Sequence, residues 1–182
     1  MTQTAGIRRD VAEPSPTVRG VRELTPSQKG AAAEAEIAAA AIRLGVRVLL
    51  PWGEGGRYDL VLDLEPQLVR VQCKWATERG GVVAARAITS RHTPRGYVRT
   101  IYTPEEIDAI GAFCPDNGEC YLIPAALIEG KASLSLRVSR ARNNQALGVR
   151  WAKDFVLATS LAANWGVELD ARDRADTPLA RR

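Results

Sequence analysis

The sequence predicts an α/β (α+β) domain: an N-terminal helix, then a mixed β-sheet flanked by helices. Three observations predict it. A long alanine-rich run carries helix caps at both ends, several short apolar runs follow it between turn residues, and 46% of the 182 residues are apolar. That composition is enough to build one hydrophobic core. With only 5% aromatic residues, the core must be mostly Ala, Val, Leu and Ile.

The helix begins at Thr25-Pro26-Ser27-Gln28, which offers an N-cap, a proline at the first helical position and a Gln in capping-box place. It runs through Ala31 to Leu44 and stops at Gly45. Three strands follow, Val46 to Leu50, Tyr58 to Leu64 and Leu68 to Trp75, the last two joined by Glu65-Pro66-Gln67. A strand near Val82 to Ile88 gives way to a basic loop. Thr103-Pro104-Glu105-Glu106 offers a cap for a short helical turn before Asp108 to Phe113. Glu119 to Ile123 and Leu134 to Val138 read as further strands, and Pro115-Asp116-Asn117-Gly118 as a hairpin turn between Cys114 and Cys120. Residues 1–24 lack periodicity and the chain end is charged, so 1–24 and 159–182 are expected to be flexible tails around a domain at 25–158.

Charge and rare residues narrow the function classes. Three cysteines without a CxxC pair indicate neither a disulfide framework nor a zinc site. The single histidine, His92, leaves little material for histidine-centred catalysis. The start lacks an apolar signal core and no run of about 18 apolar residues occurs, so no membrane association is expected and the cytoplasm is the default. The net charge of +4 is unevenly spread. Between Arg70 and Thr103, seven Lys and Arg face one acid, Glu78, giving +6 and leaving −2 for the rest. Such a block suits a polyanion such as DNA, or is simply a solvated arginine-rich loop.

One constellation carries chemistry. Asp59 opens an apolar run in Arg57-Tyr58-Asp59-Leu60-Val61-Leu62, and Gln72 and Lys74 stand two apart within the next run. Side chains two apart in a strand share a face, so Gln72 and Lys74 point one way while Val71, Cys73 and Trp75 point the other. Hydrolysing a phosphodiester with a hard cation needs oxygen ligands, a group to handle the water, and positive charge near the developing negative charge. Asp59 can supply a charged ligand, the Gln72 amide carbonyl and the Cys73 main-chain carbonyl neutral ones, and Lys74 the positive charge. Glu34 approaches from the helix; Glu36, about 200° round, is the alternative acid. Asp59 also reads as a turn cap after Gly55-Gly56, and Gln72 with Lys74 as the solvent face of an edge strand.

The order Glu34, Asp59, Gln72-Cys73-Lys74 is similar to the PD-(D/E)XK nuclease superfamily. Lys29-Gly30, Leu50-Pro51-Trp52-Gly53, Arg57-Tyr58-Asp59, Val71-Gln72-Cys73-Lys74 and Cys114-Pro115 with Tyr121-Leu122-Ile123-Pro124 resemble its bacterial group I intron-associated, homing endonuclease-like branch, over roughly Lys29 to Phe155. The resemblance implies a restriction-endonuclease-like core and Mg²⁺-dependent cleavage of double-stranded DNA, with Mn²⁺ as a substitute, by a homo-oligomer, dimer or tetramer. It puts Glu34, Asp59 and Gln72 at metal-binding positions and Lys74 at the catalytic lysine. Gln72 departs from the superfamily acid, a departure this branch accepts, and modest metal affinity follows from the missing charge. Tyr58 stands where the superfamily has proline.

Candidate DNA contacts are Arg86, Arg91, His92, Arg95, Tyr97 and Arg99 in the basic block. A second set, Arg137, Arg140, Arg142, Asn143, Asn144 and Gln145, mixes charge with amides and reads equally as a polar loop. Trp52 and Trp151 are expected to pack. Other readings are a junction-resolving or repair nuclease, a DNA-binding module of the same fold without turnover, and a scaffold that binds no nucleic acid.

Overall fold

Thr25 caps the first helix as its sequence requires. Its Oγ1 accepts the Gln28 N–H at 3.3 Å, and Gln28 Oε1 accepts the Thr25 N–H at 2.9 Å. Each bond satisfies an N–H that the first turn leaves without a helical partner. Helix α1 then spans Pro26–Arg43, buries Ala33, Ile37 and Ala41 at four-residue spacing, and ends before Gly45, whose φ of 77° is left-handed. The computed structural model describes residues 23–53, 55–93, 96–139 and 148–168, with backbone only at 90–93, 97 and 98.

The strands are β1 (Arg47–Leu49), β2 (Leu60–Asp63), β3 (Leu68–Trp75), β4 (Thr77–Arg79), β5 (Val82–Arg86), β6 (Ile88–Thr93), β7 (Gly96–Ile101), β8 (Ala109–Cys114), β9 (Glu119–Pro124) and β10 (Ser133–Arg137). A helix, α2 (Leu157–Trp165), follows. The central sheet has the order β1-β2-β3-β8-β9, and β3 and β8 are its parallel pair. Strands β10-β5-β4 form a second sheet, and β6-β7 a separate hairpin. The segments between β3 and β8 therefore form a crossover rather than continuing a meander.

Both faces of the central sheet are covered. On one face Ile37 and Ala41 of α1 and Leu157 and Leu161 of α2 meet Val69, Val71, Cys73, Ala109 and Leu122. On the other, Val83, Ala85, Leu134 and Leu136 of the second sheet meet Ile110, Ala112, Tyr121, Ile123 and Tyr102. Strands covered on both faces must be apolar throughout, which explains why β8 and β9 are buried at nearly every position. Arg70 ties the start of β3 to the start of β8. Its backbone N–H and guanidinium grip Asp108 at 2.7 to 3.0 Å, the latter through both carboxylate oxygens.

Three expectations need correction, and one unassigned segment gains an element. The basic loop is the β6-β7 hairpin, paired from Ile88↔Ile101 to Thr93↔Gly96, because its β-branched residues favour extended pairing and Gly96 accepts a φ of 110°. The segment Asp108 to Phe113, given no element from the sequence, falls in strand β8 (Ala109–Cys114), which follows a turn at residues 104–106. The boundary at residue 158 falls too early, since α2 runs to Trp165 with Ser160 and Leu161 buried and Ser160 Oγ donating to the Leu122 carbonyl at 2.6 Å. Trp52 does not pack but stands fully exposed, whereas Trp151 is half-buried.

Gly111 faces the seat of α1. A Cβ there would lie 2.9 Å from Val71 Cγ1 and 3.0 Å from Ile37 Cδ1, so β8 passes too close to admit a side chain. Gly111→Ala is expected to lower stability by about 1–3 kcal/mol through overpacking. Urea unfolding monitored by circular dichroism checks this, and an unchanged midpoint would show that α1 has room to move.

Candidate active site

The β2-β3 ladder ends at Leu60↔Val71. Beyond it the Asp59 N–H still donates to the Val71 carbonyl at 2.9 Å, and then the ladder is replaced by a side chain. Asp59 Oδ2 accepts the Cys73 N–H at 2.7 Å and a hydrogen bond from Gln72 Nε2. An N–H and C=O of one extended residue point to the same edge, so the Cys73 carbonyl lies on the edge that Asp59 occupies. The alternation in β3 matches the sequence reading: Val71 and Cys73 enter the core under α1, whereas Lys74 reaches Tyr102 in the opposite core.

Glu34 joins this group. Partial burial of its carboxyl raises its proton affinity, the Asp59 charge raises it further, and Lys74 opposes both. Burial also raises Asp59 above the ordinary carboxylate range, against the Cys73 N–H and Lys74. Glu34 and Asp59 are thus two acids crowded together with too little positive charge around them. Glu36 acts elsewhere, on Cys120, whose thiol is pushed up to about 12 mainly by burial. Of the two helix acids, Glu34 is the one on which Asp59 and Lys74 act. The Cys73 thiol is held well above its usual range, first by burial and then by Asp59 and Glu34, so its sulfur stays protonated in the core.

Lys74 Nζ donates to the Tyr102 hydroxyl at 3.2 Å, and the Arg57 guanidinium lies 4.6 Å from the centroid of the same ring. Arg57 also donates to Glu106 Oε2 at 2.6 Å. Tyr102 and Glu106 are site neighbours that sequence reasoning missed, since a lone Tyr after a basic run gives no signal. Arg57 was legible only as a motif residue, two before Asp59.

Among the described residues no group of three or more His, Cys, Asp or Glu is placed to hold a metal ion. The oxygen atoms near Asp59 belong to two carboxylates, the Gln72 amide and a main-chain carbonyl, donors of the type that a hard cation takes. Of the expected DNA contacts, Arg86 on β5 and Arg99 on β7 are exposed. Arg91, His92 and Tyr97 lie on the hairpin, where His92 pairs with Tyr97 and Arg91 with Val98. Arg95, Arg140, Arg142 and Asn143 fall outside the described residues. Arg70 leaves the basic block in effect, because Asp108 neutralises it.

A capped helix over a mixed sheet, with Asp59 just before β2 and Gln72-Cys73-Lys74 on β3, is the arrangement of a restriction-endonuclease-like fold. The chain belongs to the PD-(D/E)XK endonuclease family, which matches residues 24–158. Among solved structures it resembles a bacterial homing endonuclease, I-Ssp6803I, with a TM-score of 0.61 and 25% identity over 77% of this chain and 94% of that one. These matches support the homing-endonuclease-like branch. No curated protein matches the chain. Among the described residues no helix is long and apolar enough to cross a membrane.

Acids whose proton affinity rises on folding add nothing to pH-dependent stability below the ordinary carboxylate range, and they penalise the fold as pH climbs through their raised values. In EDTA, Glu34→Gln is therefore expected to melt above wild type at pH 7, and the gap should narrow toward about pH 4. Thermal unfolding at both pH values decides it. A gap that does not change with pH would mean that the Glu34 carboxyl is not crowded.

Proposed function

We propose that this nuclease is a divalent-cation-dependent endonuclease that hydrolyses phosphodiester bonds in double-stranded DNA, with Mg²⁺ as its cation, Mn²⁺ as a substitute, and a homo-oligomer as the working form. The observation that carries the reading is the Asp59 carboxylate, fixed at the open end of the β2-β3 ladder, with Lys74 acting on it and its own charge acting on Glu34. Glu34 and Asp59 would hold the cation with charge, and the Gln72 amide oxygen and Cys73 carbonyl would complete the protein ligands. When bound, the cation supplies Lewis acidity and charge neutralisation at the scissile phosphate.

The chain's own groups do the rest. The Cys73 N–H fixes one oxygen of Asp59, so the carboxylate cannot rotate freely. Lys74, half-buried beside it, presents N–H donors to the attacking water or to a phosphate oxygen. Arg86 and Arg99, both exposed, would neutralise backbone phosphates and position the duplex, with Arg91, His92, Arg95, Tyr97, Arg140, Arg142 and Asn143 as further candidates. The description of the solved relative as a homing endonuclease supports cleavage at specific sites.

Nicking of supercoiled plasmid with Mg²⁺, Mn²⁺ or EDTA tests the reading. Wild type should cut with either metal and stop in EDTA, and Lys74→Ala and Asp59→Ala should each lose about 10²-fold or more. Equal residual nicking in all three proteins would sink it, and DNA retention without any cutting would leave a binding module. Arg99→Ala should weaken retention on any sequence and reduce the slope of log affinity against log salt by about 1.

Gln72 gives a second test. A Glu at this buried position loses the donor to Asp59 and adds like charge, so Gln72→Glu should lower stability in EDTA by about 1–3 kcal/mol. The same change should lower the Mg²⁺ concentration needed for half-maximal nicking. Unfolding in EDTA and a metal titration check the two halves separately. A variant as stable as wild type with an unchanged metal requirement would remove Gln72 from the site.

A further inference from the structure

The geometry points to Tyr102 as the positioning residue for Lys74, a role that rests on the catalytic part proposed for that lysine. A lysine side chain has four rotatable bonds and holds one position only where something fixes its end. The end of Lys74 has that fixture. Its Nζ lies 3.2 Å from the Tyr102 hydroxyl and 5.1 Å from the ring centroid, which places it off the oxygen end of the ring rather than over the face. The hydroxyl is therefore the contact that holds the ammonium.

The face of the same ring is taken by Arg57, whose guanidinium lies 4.6 Å from the centroid and is held in turn by Glu106. One aromatic side chain thus spaces two cations, one by its oxygen and one by its π-face, next to Asp59. Tyr102 is itself immobile. Only 3% of it is exposed, it belongs to the core formed with the second sheet, and its N–H donates to the Ala87 carbonyl at 3.3 Å, closing the base of the β6-β7 hairpin. A rigid phenol gripping a flexible ammonium is what a proton donor needs if it is to meet its target without searching.

Tyr102→Phe and Tyr102→Leu separate the two contacts. Phe keeps the ring, the packing and the Arg57 stack but frees Lys74, whereas Leu removes both supports. With Mg²⁺ and a cleavable duplex, Tyr102→Phe should lower kcat about tenfold while KM stays within about twofold, and Tyr102→Leu should fall about 10²-fold. A second readout needs no turnover. The ¹³C relaxation of the Lys74 Cε methylene should show a lower order parameter in Tyr102→Phe than in wild type, at an unchanged melting temperature.

Wild-type kcat and an unchanged Lys74 order parameter in Tyr102→Phe would overturn the role. So would a rise in KM alone, which would make the hydroxyl a DNA contact. A wild-type protein that does not cut would defeat the nuclease reading, while the relaxation measurement would still decide whether Tyr102 fixes Lys74.

Discussion

The rest of the site depends on one hydrogen bond, from the Cys73 N–H to the Asp59 carboxylate. A strand whose neighbour ends early leaves backbone donors facing nothing, and a buried N–H cannot stay unpaired without a free-energy penalty. Here β2 begins only at Leu60, and the residue before it, Asp59, answers the Cys73 N–H with its side chain. The substitution closes the ladder chemically while leaving it open sterically. It also fixes a carboxylate beside the Cys73 carbonyl and the Gln72 amide.

That arrangement works against the isolated fold. Burial disfavours charge on Asp59, against the Cys73 N–H and Lys74, and the Asp59 charge in turn disfavours charge on the partly buried Glu34. The scaffold holds the crowded acids together by brute packing. Ile37 seats α1 against Val71 and Gly111, which sets where Glu34 stands relative to β3, and the Arg70–Asp108 pair fixes where β3 meets β8. Two buried faces of one sheet leave α1 and the strands little freedom to drift apart. An acid pair that repels itself is therefore tolerated.

The parts of the fold legible in the sequence were those set by local chemistry. Thr25 and Gln28 mark the helix start because their side chains satisfy the helix's own donors, and Gln72 and Lys74 share a face because strand geometry has period two. Long-range pairing left weaker marks. Nothing local in Ala109 to Cys114 says that it lies parallel to β3, and a strand buried on both faces has no alternation to read. The β6-β7 hairpin was hidden by its arginines, which suggest solvent rather than strand, although Thr and Ile at its base favour pairing. The end of α2 was hidden by the charged residues beyond it. Tyr102 was illegible for a different reason: its importance comes from where a crossover returns it, 28 residues after the lysine it holds.

Gln72 reconciles the crowding with a stable fold. An acid at this position would place a third negative charge beside Asp59 and Glu34, whereas the amide donates to Asp59 and removes part of the conflict. A half-turn of the same amide exchanges its donor for an acceptor, and two oxygens aimed at one point are stable only around a cation. The neutral residue would therefore suit both states of the proposed site: a hydrogen-bond donor that steadies the unliganded fold, and an oxygen ligand for the proposed cation. A carboxylate would serve only the second, so under the proposed function weaker cation binding would be the physical counterpart of a site that holds its shape before the cation arrives.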